Sequence, residues 1–107
     1  MKQHDIVLVN FPFSNLSQTK LRPAIIAAVP GGENVILCQI TTKKRNIDTY
    51  EVPLLQKHVS GDIHFDSNIY VDMIFTLHQS LIKRAVGRVE NKKTQSLMQE
   101  KLQNLFV

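Results

Sequence analysis

The chain has 107 residues, 43% of them hydrophobic and 21% charged, which is enough for one domain, 1–107, with its own core. This balance excludes a disordered tail, and no apolar run approaches the ~20 residues that are needed to cross a bilayer. The net charge of +4 fits an anionic partner but does not select one. The N-terminal residues lack the pattern of a secretory signal, which predicts a cytoplasmic protein with no membrane partner.

Two apolar runs near the N-terminus predict neighbouring strands. Ile6 to Phe11 is rich in β-branched residues and indicates a buried strand. Ser14 to Leu21 is rich in turn formers and predicts a loop. The second strand is predicted from Pro23 to Val29, with Pro23 at an edge or a strand end because proline has no N–H to donate. Arg22, immediately before this proline, is restricted to extended backbone.

The third predicted strand, Val35 to Thr41, follows a tight turn at Pro30 to Asn34. Alternation places Ile36, Cys38, Ile40 and Thr42 on one face and Val35, Leu37, Gln39 and Thr41 on the other. The first set is the more apolar, so we favour Thr41 over Thr42 as the hydroxyl exposed to a site. Cys38, in the middle of the run, is expected to be a buried, unreactive thiol.

The rest of the chain predicts further short strands and one helix. A basic loop, Lys43 to Asn46, precedes strands predicted at Thr49–Leu54, Asn68–Phe75 and Arg84–Val89, and few regular signals occur in Leu55–Asp66. In the second of these strands, alternation puts Ile69, Val71, Met73 and Phe75 on one face and Asn68, Tyr70 and Asp72 on the other. One helical turn is expected from a Thr76 cap through Leu81, and Asn91 caps a helix from Lys92 to about Gln103. This element order predicts a mainly β, small, strongly curved sheet or barrel with a C-terminal helix.

Motifs for metal or nucleophilic chemistry are missing from the sequence. The four histidines are not spaced as metal ligands or as an acid–base pair, and the aspartates do not support a two-metal nuclease site. The single cysteine cannot form an internal disulfide or a cysteine-based zinc site. We therefore expect neither a metal nor a cofactor.

Arg22 is the most informative polar residue, because it stands where a loop becomes a strand. A guanidinium remains charged at physiological pH and presents a planar fork of donors that suits phosphate. Lys20 has the same parity as Arg22 in an extended chain. Lys43 to Arg45 come close to Arg22 if the second and third strands are antiparallel. A solvated arginine at a strand end is the alternative that these residues alone leave open.

Several segments together resemble the MazF/PemK family of toxin endoribonucleases. The opening matches are Asp5-Ile6-Val7-Leu8-Val9, Phe11-Pro12-Phe13 and Leu21-Arg22-Pro23-Ala24, followed by Ile40-Thr41 at the end of the third strand. Later matches are Asp66-Ser67, Ile69-Tyr70-Val71-Asp72, Thr76-Leu77, Ser80-Leu81-Ile82 and Gly87-Arg88-Val89. They cover nearly the whole chain in one order. His4 departs from the family, which usually has glycine before the aspartate, and this departure concerns turn geometry.

The resemblance implies an SH3-like small barrel of the CcdB/MazF, or plasmid maintenance toxin, type that forms a homodimer. It implies the toxin of a type II toxin–antitoxin system, silenced by a cognate antitoxin peptide or protein. The implied activity is metal-independent, sequence-selective cleavage of single-stranded mRNA, in which attack by the 2′-hydroxyl gives 2′,3′-cyclic phosphate and 5′-hydroxyl ends.

By the same resemblance, the catalytic residues are Arg22, for phosphate binding and proton handling, and Thr41, as a hydrogen-bonding partner of the phosphate. The substrate-binding candidates are Lys20, Thr42, Lys43, Lys44 and Arg45. Selectivity for bases is expected from the loops Ser14–Leu21, Lys43–Asn46 and Leu55–His64. Two alternatives are a CcdB-like toxin that binds DNA gyrase and a catalytically inactive barrel that binds RNA or an antitoxin.

Overall fold

Antiparallel strands form a single curled sheet, a half-barrel. The computed structural model describes residues 1–12, 19–45, 48–64 and 66–107, with the backbone alone at positions 11, 12, 19, 20 and 48. Within these residues there are seven strands: β1 (Asp5–Pro12), β2 (Thr19–Ala28), β3 (Asn34–Thr41), β4 (Glu51–Leu54), β5 (Val59–Gly61), β6 (Ser67–His78) and β7 (Ile82–Val89). Their order is β4-β6-β3-β2-β1-β7-β5, and every neighbouring pair is antiparallel. The mainly β prediction is confirmed.

A single helix, α1 (Lys92–Leu105), follows the sheet in the described part of the chain. The side chain of Asn91 caps it by accepting a hydrogen bond of 2.9 Å from the Thr94 N–H, as the sequence predicts. Leu97, Met98 and Leu102 pack against the sheet, whereas Phe106 lies beyond the helix end and is 77% exposed. Among the described helices, none has the length and apolar character that crossing a membrane requires.

Both faces of the central strands are buried, which explains why their apolar runs do not alternate with polar residues. One cluster, under α1, is formed by Ile6, Ile25, Ala27, Cys38, Ile40, Val52, Leu54, Ile69, Val71, Val89 and Met98. A second cluster, on the opposite face, is formed by Val7, Val9, Ala24, Ile26, Val35 and Leu37. Burial raises the pKa of the Cys38 thiol to about 12, so the expectation of an unreactive thiol is supported.

The long strand β6 contains an irregularity that the sequence pattern does not reveal. Cys38 of β3 lies opposite Ile74, but the next residue, Gln39, lies opposite Tyr70. The intervening residues of β6 therefore bulge and reverse its parity. Ile69 packs in the cluster under α1, whereas Phe75 packs against the opposite cluster, so the prediction that they share a face is wrong.

The boundaries of β2 also differ from those predicted. The strand begins at Thr19, so the end of the predicted loop is strand and positions 14–18 of that loop lie outside the described residues. Pro23 is inside the strand, opposite Leu8 of β1, rather than at its end. The paired register with β3 begins one residue later, at Ala24 opposite Gln39, so no pairing with β3 is recorded at the proline itself.

Short turns replace part of the remaining predicted elements. The strand predicted from Thr49 begins at Glu51, because Asp48–Tyr50 forms a 3₁₀ turn. The segment Leu55–Asp66, where the sequence has few regular secondary-structure signals, contains another 3₁₀ turn, Gln56–His58, followed by β5. The turn predicted from a Thr76 cap is instead Gln79–Leu81, because β6 continues to His78, whose side chain accepts from the Ser80 N–H.

Candidate functional site

The register of β2 and β3 directs Arg22 and Thr41 toward the same end of the sheet. The last pair of this ladder is Ala24 opposite Gln39, and the same antiparallel register continued by two residues would set Arg22 across from Thr41. Opposed residues on antiparallel strands project from the same face, with neighbouring strands about 4.8 Å apart. The row continues onto β6, where Asn68 lies opposite Thr41. Residues far apart in the chain therefore form one polar row across three strands.

This row lies at the polar end of the face that carries the second apolar cluster. Ala24, two residues after Arg22, is fully buried in that cluster. Arg22 is partly buried, and its Nε is out of contact with solvent. The parity predicted for β3 is confirmed, since Ile40 is buried in the cluster under α1 and Leu37 in the opposite cluster. Thr41 is partly buried, whereas Thr42 is exposed. The stem of Arg22 is thus held by the sheet at the border between core and solvent.

The segment Thr41–Arg45, which we call the basic segment, is anchored by hydrogen bonds to its backbone. The N–H of Lys43 donates to Thr41 Oγ1 at 3.2 Å. The carbonyl of Lys43 accepts from the Tyr70 hydroxyl at 2.7 Å and from Asn68 Nδ2 at 3.4 Å. One residue, Lys43, is therefore tied both to the hydroxyl of Thr41 and to the neighbouring strand β6.

The side chain of Arg45 anchors the other end of the basic segment. Its Nη1 and Nη2 donate to the two carboxylate oxygens of Asp72 at 3.1 and 2.6 Å. Its Nε and its backbone N–H both donate to Glu51 Oε1, at 3.1 and 2.8 Å, and Glu51 is only 3% exposed. The guanidinium also lies 3.6 Å from the centre of the Tyr70 ring.

These contacts fix the charge states of Arg45 and Asp72. The hydrogen bonds from Arg45 hold the pKa of the Asp72 carboxyl below its ordinary value. In the same way, the hydrogen bond to Asp72 raises the pKa of Arg45. A guanidinium that already meets two carboxylates has little remaining attraction for phosphate. The geometry makes Arg45 the anchor of the basic segment at its C-terminal end.

The other predicted substrate-binding residues are placed differently. Thr42, Lys43 and Lys44 are exposed next to Thr41. Lys20 lies in β2, two residues before Arg22, and its side chain falls outside the described part of the structure, as does all of Asn46. Two exposed lysines thus follow Thr41 closely in the chain.

Tyr70, Asp72, Asn68 and Glu51 take part in the site but were not predicted as site residues. A signal for three of them was present, because alternation in the Asn68–Phe75 run placed Asn68, Tyr70 and Asp72 on one polar face. Nothing in the local sequence marks Glu51, whose role depends on β4 lying beside β6. Across the residues that the structure describes, no group of three or more His, Cys, Asp or Glu side chains could hold a metal ion.

The comparisons with known proteins agree with the fold and the opening motif. A family model described as "PemK-like, MazF-like toxin of type II toxin-antitoxin system" matches residues 2–106. No curated protein sequence matches the chain.

Solved structures of similar fold include proteins from mycobacteria and from Deinococcus radiodurans. The Mycobacterium tuberculosis toxin MazF-mt6 is 23% identical, with a TM-score of 0.75 over 95% of each chain. A mycobacterial endoribonuclease in complex with its cognate antitoxin is 16% identical, with a TM-score of 0.76 over 99% of this chain and 94% of that one. The MazE–MazF complex of Deinococcus radiodurans is also 16% identical, with a TM-score of 0.77 over 99% and 95%. The chain therefore belongs to the PemK-like, MazF-like toxin family of type II toxin–antitoxin systems.

Proposed function

We propose that this toxin is a metal-independent endoribonuclease that cuts single-stranded mRNA at a preferred sequence. The observation that supports the proposal is the pairing of Ala24 with Gln39, because the same register continued by two residues would set Arg22 across from Thr41, which the exposed Lys43 follows in the chain. A partly buried guanidinium, a hydroxyl and exposed ammonium groups near one sheet end suit a phosphodiester. A structural neighbour described as an endoribonuclease supports the same class of activity.

The chemistry that this arrangement can assist is an internal transfer within RNA. The 2′-oxygen attacks the adjacent phosphorus, and the bond from phosphorus to the 5′-oxygen breaks. The 2′-hydroxyl loses a proton in this step, and the departing 5′-oxygen gains one. The products are a 2′,3′-cyclic phosphate and a 5′-hydroxyl. We assign to Arg22 the phosphate oxygens, whose negative charge grows in the transition state. We also assign to Arg22 a part in the transfer of the proton from the 2′-hydroxyl to the 5′-oxygen.

Thr41 is assigned a second hydrogen bond to the phosphate. Its Oγ1 accepts from the Lys43 N–H, which leaves the hydroxyl proton available to a phosphate oxygen. Lys43 and Lys44 are assigned to the RNA backbone on either side of the cut, together with Thr42 and Lys20. Arg45, which we predicted as a substrate contact, is instead assigned to anchoring the basic segment, because its donors face Glu51 and Asp72.

The partners proposed are a cognate antitoxin and a second copy of the chain, in the cytoplasm. Complexes with antitoxins among the structural neighbours support the first of these. The antitoxin need only cover the row of Arg22 and Thr41 to exclude RNA.

The test is cleavage of single-stranded RNA in excess EDTA by the wild type, Arg22→Ala and a control, Lys93→Ala. Lys93 is an exposed cation at the start of α1, so its loss changes net charge equally without touching the row. We expect Arg22→Ala to lower the rate by roughly 10²–10³, as for removal of one transition-state donor, and Lys93→Ala to change it little. The products are identified by their cyclic phosphate and 5′-hydroxyl ends.

Equal rates in the wild type and Arg22→Ala would refute the site. Growth arrest with intact RNA and trapped gyrase–DNA complexes would favour the CcdB-like alternative. Tight RNA or antitoxin binding without cleavage would identify an inactive barrel.

A further inference from the structure

Tyr70 is a buried aromatic residue whose hydroxyl has a single defined target among the described residues, the carbonyl of Lys43. It is 7% exposed, and the distance from its hydroxyl to that carbonyl is 2.7 Å. A buried tyrosine hydroxyl ordinarily finds a hydrogen-bond partner, but its partner is usually part of a regular element. Here the target is irregular backbone directly after β3, in the basic segment.

The hydrogen bond from Tyr70 continues through Lys43 to Thr41. The carbonyl of Lys43 receives the tyrosine hydroxyl, and the N–H of the same residue donates to Thr41 Oγ1 at 3.2 Å. The carbonyl and the N–H of Lys43 belong to successive peptide planes that meet at its Cα. The bond from Tyr70 restrains one plane and the bond to Thr41 Oγ1 restrains the other, so the two contacts together restrict the backbone torsions of Lys43. Since Thr41 Oγ1 accepts from the Lys43 N–H, its own proton is available to another acceptor.

The ring of Tyr70 is held in place by the same cluster. Arg45 covers one side of the ring at 3.6 Å from its centre, and Asp72 and Glu51 hold Arg45 there. The Tyr70 ring and the Arg45 side chain thus form a platform for the basic segment. The platform holds the segment through the Tyr70 hydroxyl at Lys43 and through the side chain of Arg45, the segment's last residue. Neither contact is needed for the strand pairing of β3 with β6, which ends at Thr41 opposite Asn68.

We propose that Tyr70 is a positioning residue, which orients the hydroxyl of Thr41 toward the scissile phosphate through the backbone of Lys43. This inference rests on the proposed function and deepens it, by assigning a role in the reaction to a residue that does not touch RNA. The Arg45–Asp72 pair supports the same platform.

The variant Tyr70→Phe removes only the hydroxyl and keeps the ring under Arg45. Tyr50→Phe is the matched control, because Tyr50 is the only other tyrosine and packs partly buried against the cluster under α1. We expect kcat to fall about 10-fold in Tyr70→Phe, with KM within about twofold of the wild type. A misplaced Thr41 hydroxyl stabilises the transition state less but changes substrate binding little. Tyr50→Phe leaves both constants unchanged.

A double-mutant cycle separates positioning from a general structural effect. Thr41→Val removes the hydroxyl that Tyr70 is proposed to orient. If Tyr70 acts through that hydroxyl, then Tyr70→Phe in the Thr41→Val background lowers kcat by less than about twofold. A full 10-fold further loss in that background would overturn the proposal.

Hydrogen exchange at the Lys43 amide gives a readout that does not depend on activity. We expect exchange at this N–H to accelerate at least about 10-fold in Tyr70→Phe and to stay at the wild-type rate in Tyr50→Phe. Unchanged exchange at Lys43 would show that the tyrosine does not hold the segment, and would overturn the inference even if kcat fell.

The failure of the inference is distinguishable from the failure of the proposed function. A wild-type protein that does not cut RNA overturns the function, and the positioning role with it. A wild type that cuts RNA while Tyr70→Phe retains full kcat overturns the positioning role alone. Melting temperatures of all four variants establish that the comparison is made between folded proteins.

Discussion

The pair of Arg45 and Asp72 offers a quantitative test of the platform under the basic segment. The perturbation is Asp72→Asn, which keeps the shape of the side chain but removes its charge. The two side chains are 25% and 26% exposed, and the carboxylate receives two hydrogen bonds, of 2.6 and 3.1 Å. The pair is therefore neither a solvated surface pair nor a fully buried one.

The expected cost follows from this intermediate burial. Exposed ion pairs contribute about 0.2–1 kcal/mol, and breaking a fully buried pair costs about 3–5 kcal/mol. Arg45 retains Glu51 Oε1 after the substitution, so its charge is not left without a partner. We expect Asp72→Asn to reduce the free energy of unfolding by about 1–2 kcal/mol, after allowing for screening at the exposed quarter. For a domain near this size, each kcal/mol corresponds to roughly 4–8 °C in melting temperature.

The assay is urea denaturation of the wild type, Asp72→Asn and Asp62→Asn. Asp62 is the matched control, because its carboxylate lies 2.7 Å from His64 Nε2 but is 67% exposed. We expect the control to lose far less stability than Asp72→Asn. If the two variants lose the same amount, the contacts of Asp72 contribute no more than a surface pair and the reasoning is refuted.

The same variant predicts a dependence on pH. The pKa of Asp72 in the folded protein lies below its ordinary value of 3.8, because of the hydrogen bonds from Arg45. The stabilisation from the ionised carboxylate is thus complete above the unfolded pKa and is lost as pH falls through the lowered, folded value. We expect the stability difference between wild type and Asp72→Asn to be constant from neutral pH down to about 4 and to shrink below it. A difference that disappears already near pH 6 would contradict this assignment.

Two further substitutions test backbone geometry. His4 has a φ of 75°, so His4→Gly relieves a left-handed conformation that costs a residue with Cβ about 1–2 kcal/mol, and we expect a net gain of roughly 0.5–1 kcal/mol in urea denaturation. His4→Ala, which keeps the Cβ, is expected to give no gain, and equal effects of the two variants would show that the loss of the imidazole decides the outcome. A Cβ at Gly87 would lie 2.5 Å from the carbonyl oxygen of Ser60, so Gly87→Ala is expected to lower stability by about 1–3 kcal/mol by separating β5 from β7. The control in thermal unfolding is Gly31→Ala, where the added methyl group meets open space but the backbone has a positive φ. A smaller loss of stability in Gly87→Ala than in Gly31→Ala would contradict the prediction that close approach of the strands is the larger cost.

The positive φ of His4 gives a physical meaning to the departure from the family pattern at this position. The backbone N–H of His4 donates to the Ile26 carbonyl at 2.8 Å, and its carbonyl accepts from the Val89 N–H at 3.0 Å. Both bonds tie the start of β1 to neighbouring parts of the sheet and fix the turn. Glycine adopts such a φ without strain, so the histidine is accommodated at a cost that the surrounding hydrogen bonds offset.

Local properties of the sequence were sufficient for the strands, whereas the choice of the two residues at the centre of the proposed site also needed the resemblance to the toxin family. Apolar runs with β-branched residues predict strands because burial on both faces of a sheet depends on composition within one segment. The parity of β3 selected Thr41 over Thr42, and the match of the opening stretch to the toxin family drew attention to Arg22. The cap at Asn91 is equally local, since its bond to Thr94 spans three residues.

The tertiary structure alone decided which residues surround those two. Arg45 reads as an exposed member of a basic run, yet its charge is matched by Asp72, 27 residues away, because β6 passes beneath the basic segment. The bulge in β6 reversed the expected faces, since three residues of one strand have no counterpart on β3. Spacing along a strand determines which side chains share a face, but only the register between strands determines which of them meet. For this reason the strands were predictable from the sequence, and the platform of Tyr70, Arg45 and Asp72 was not.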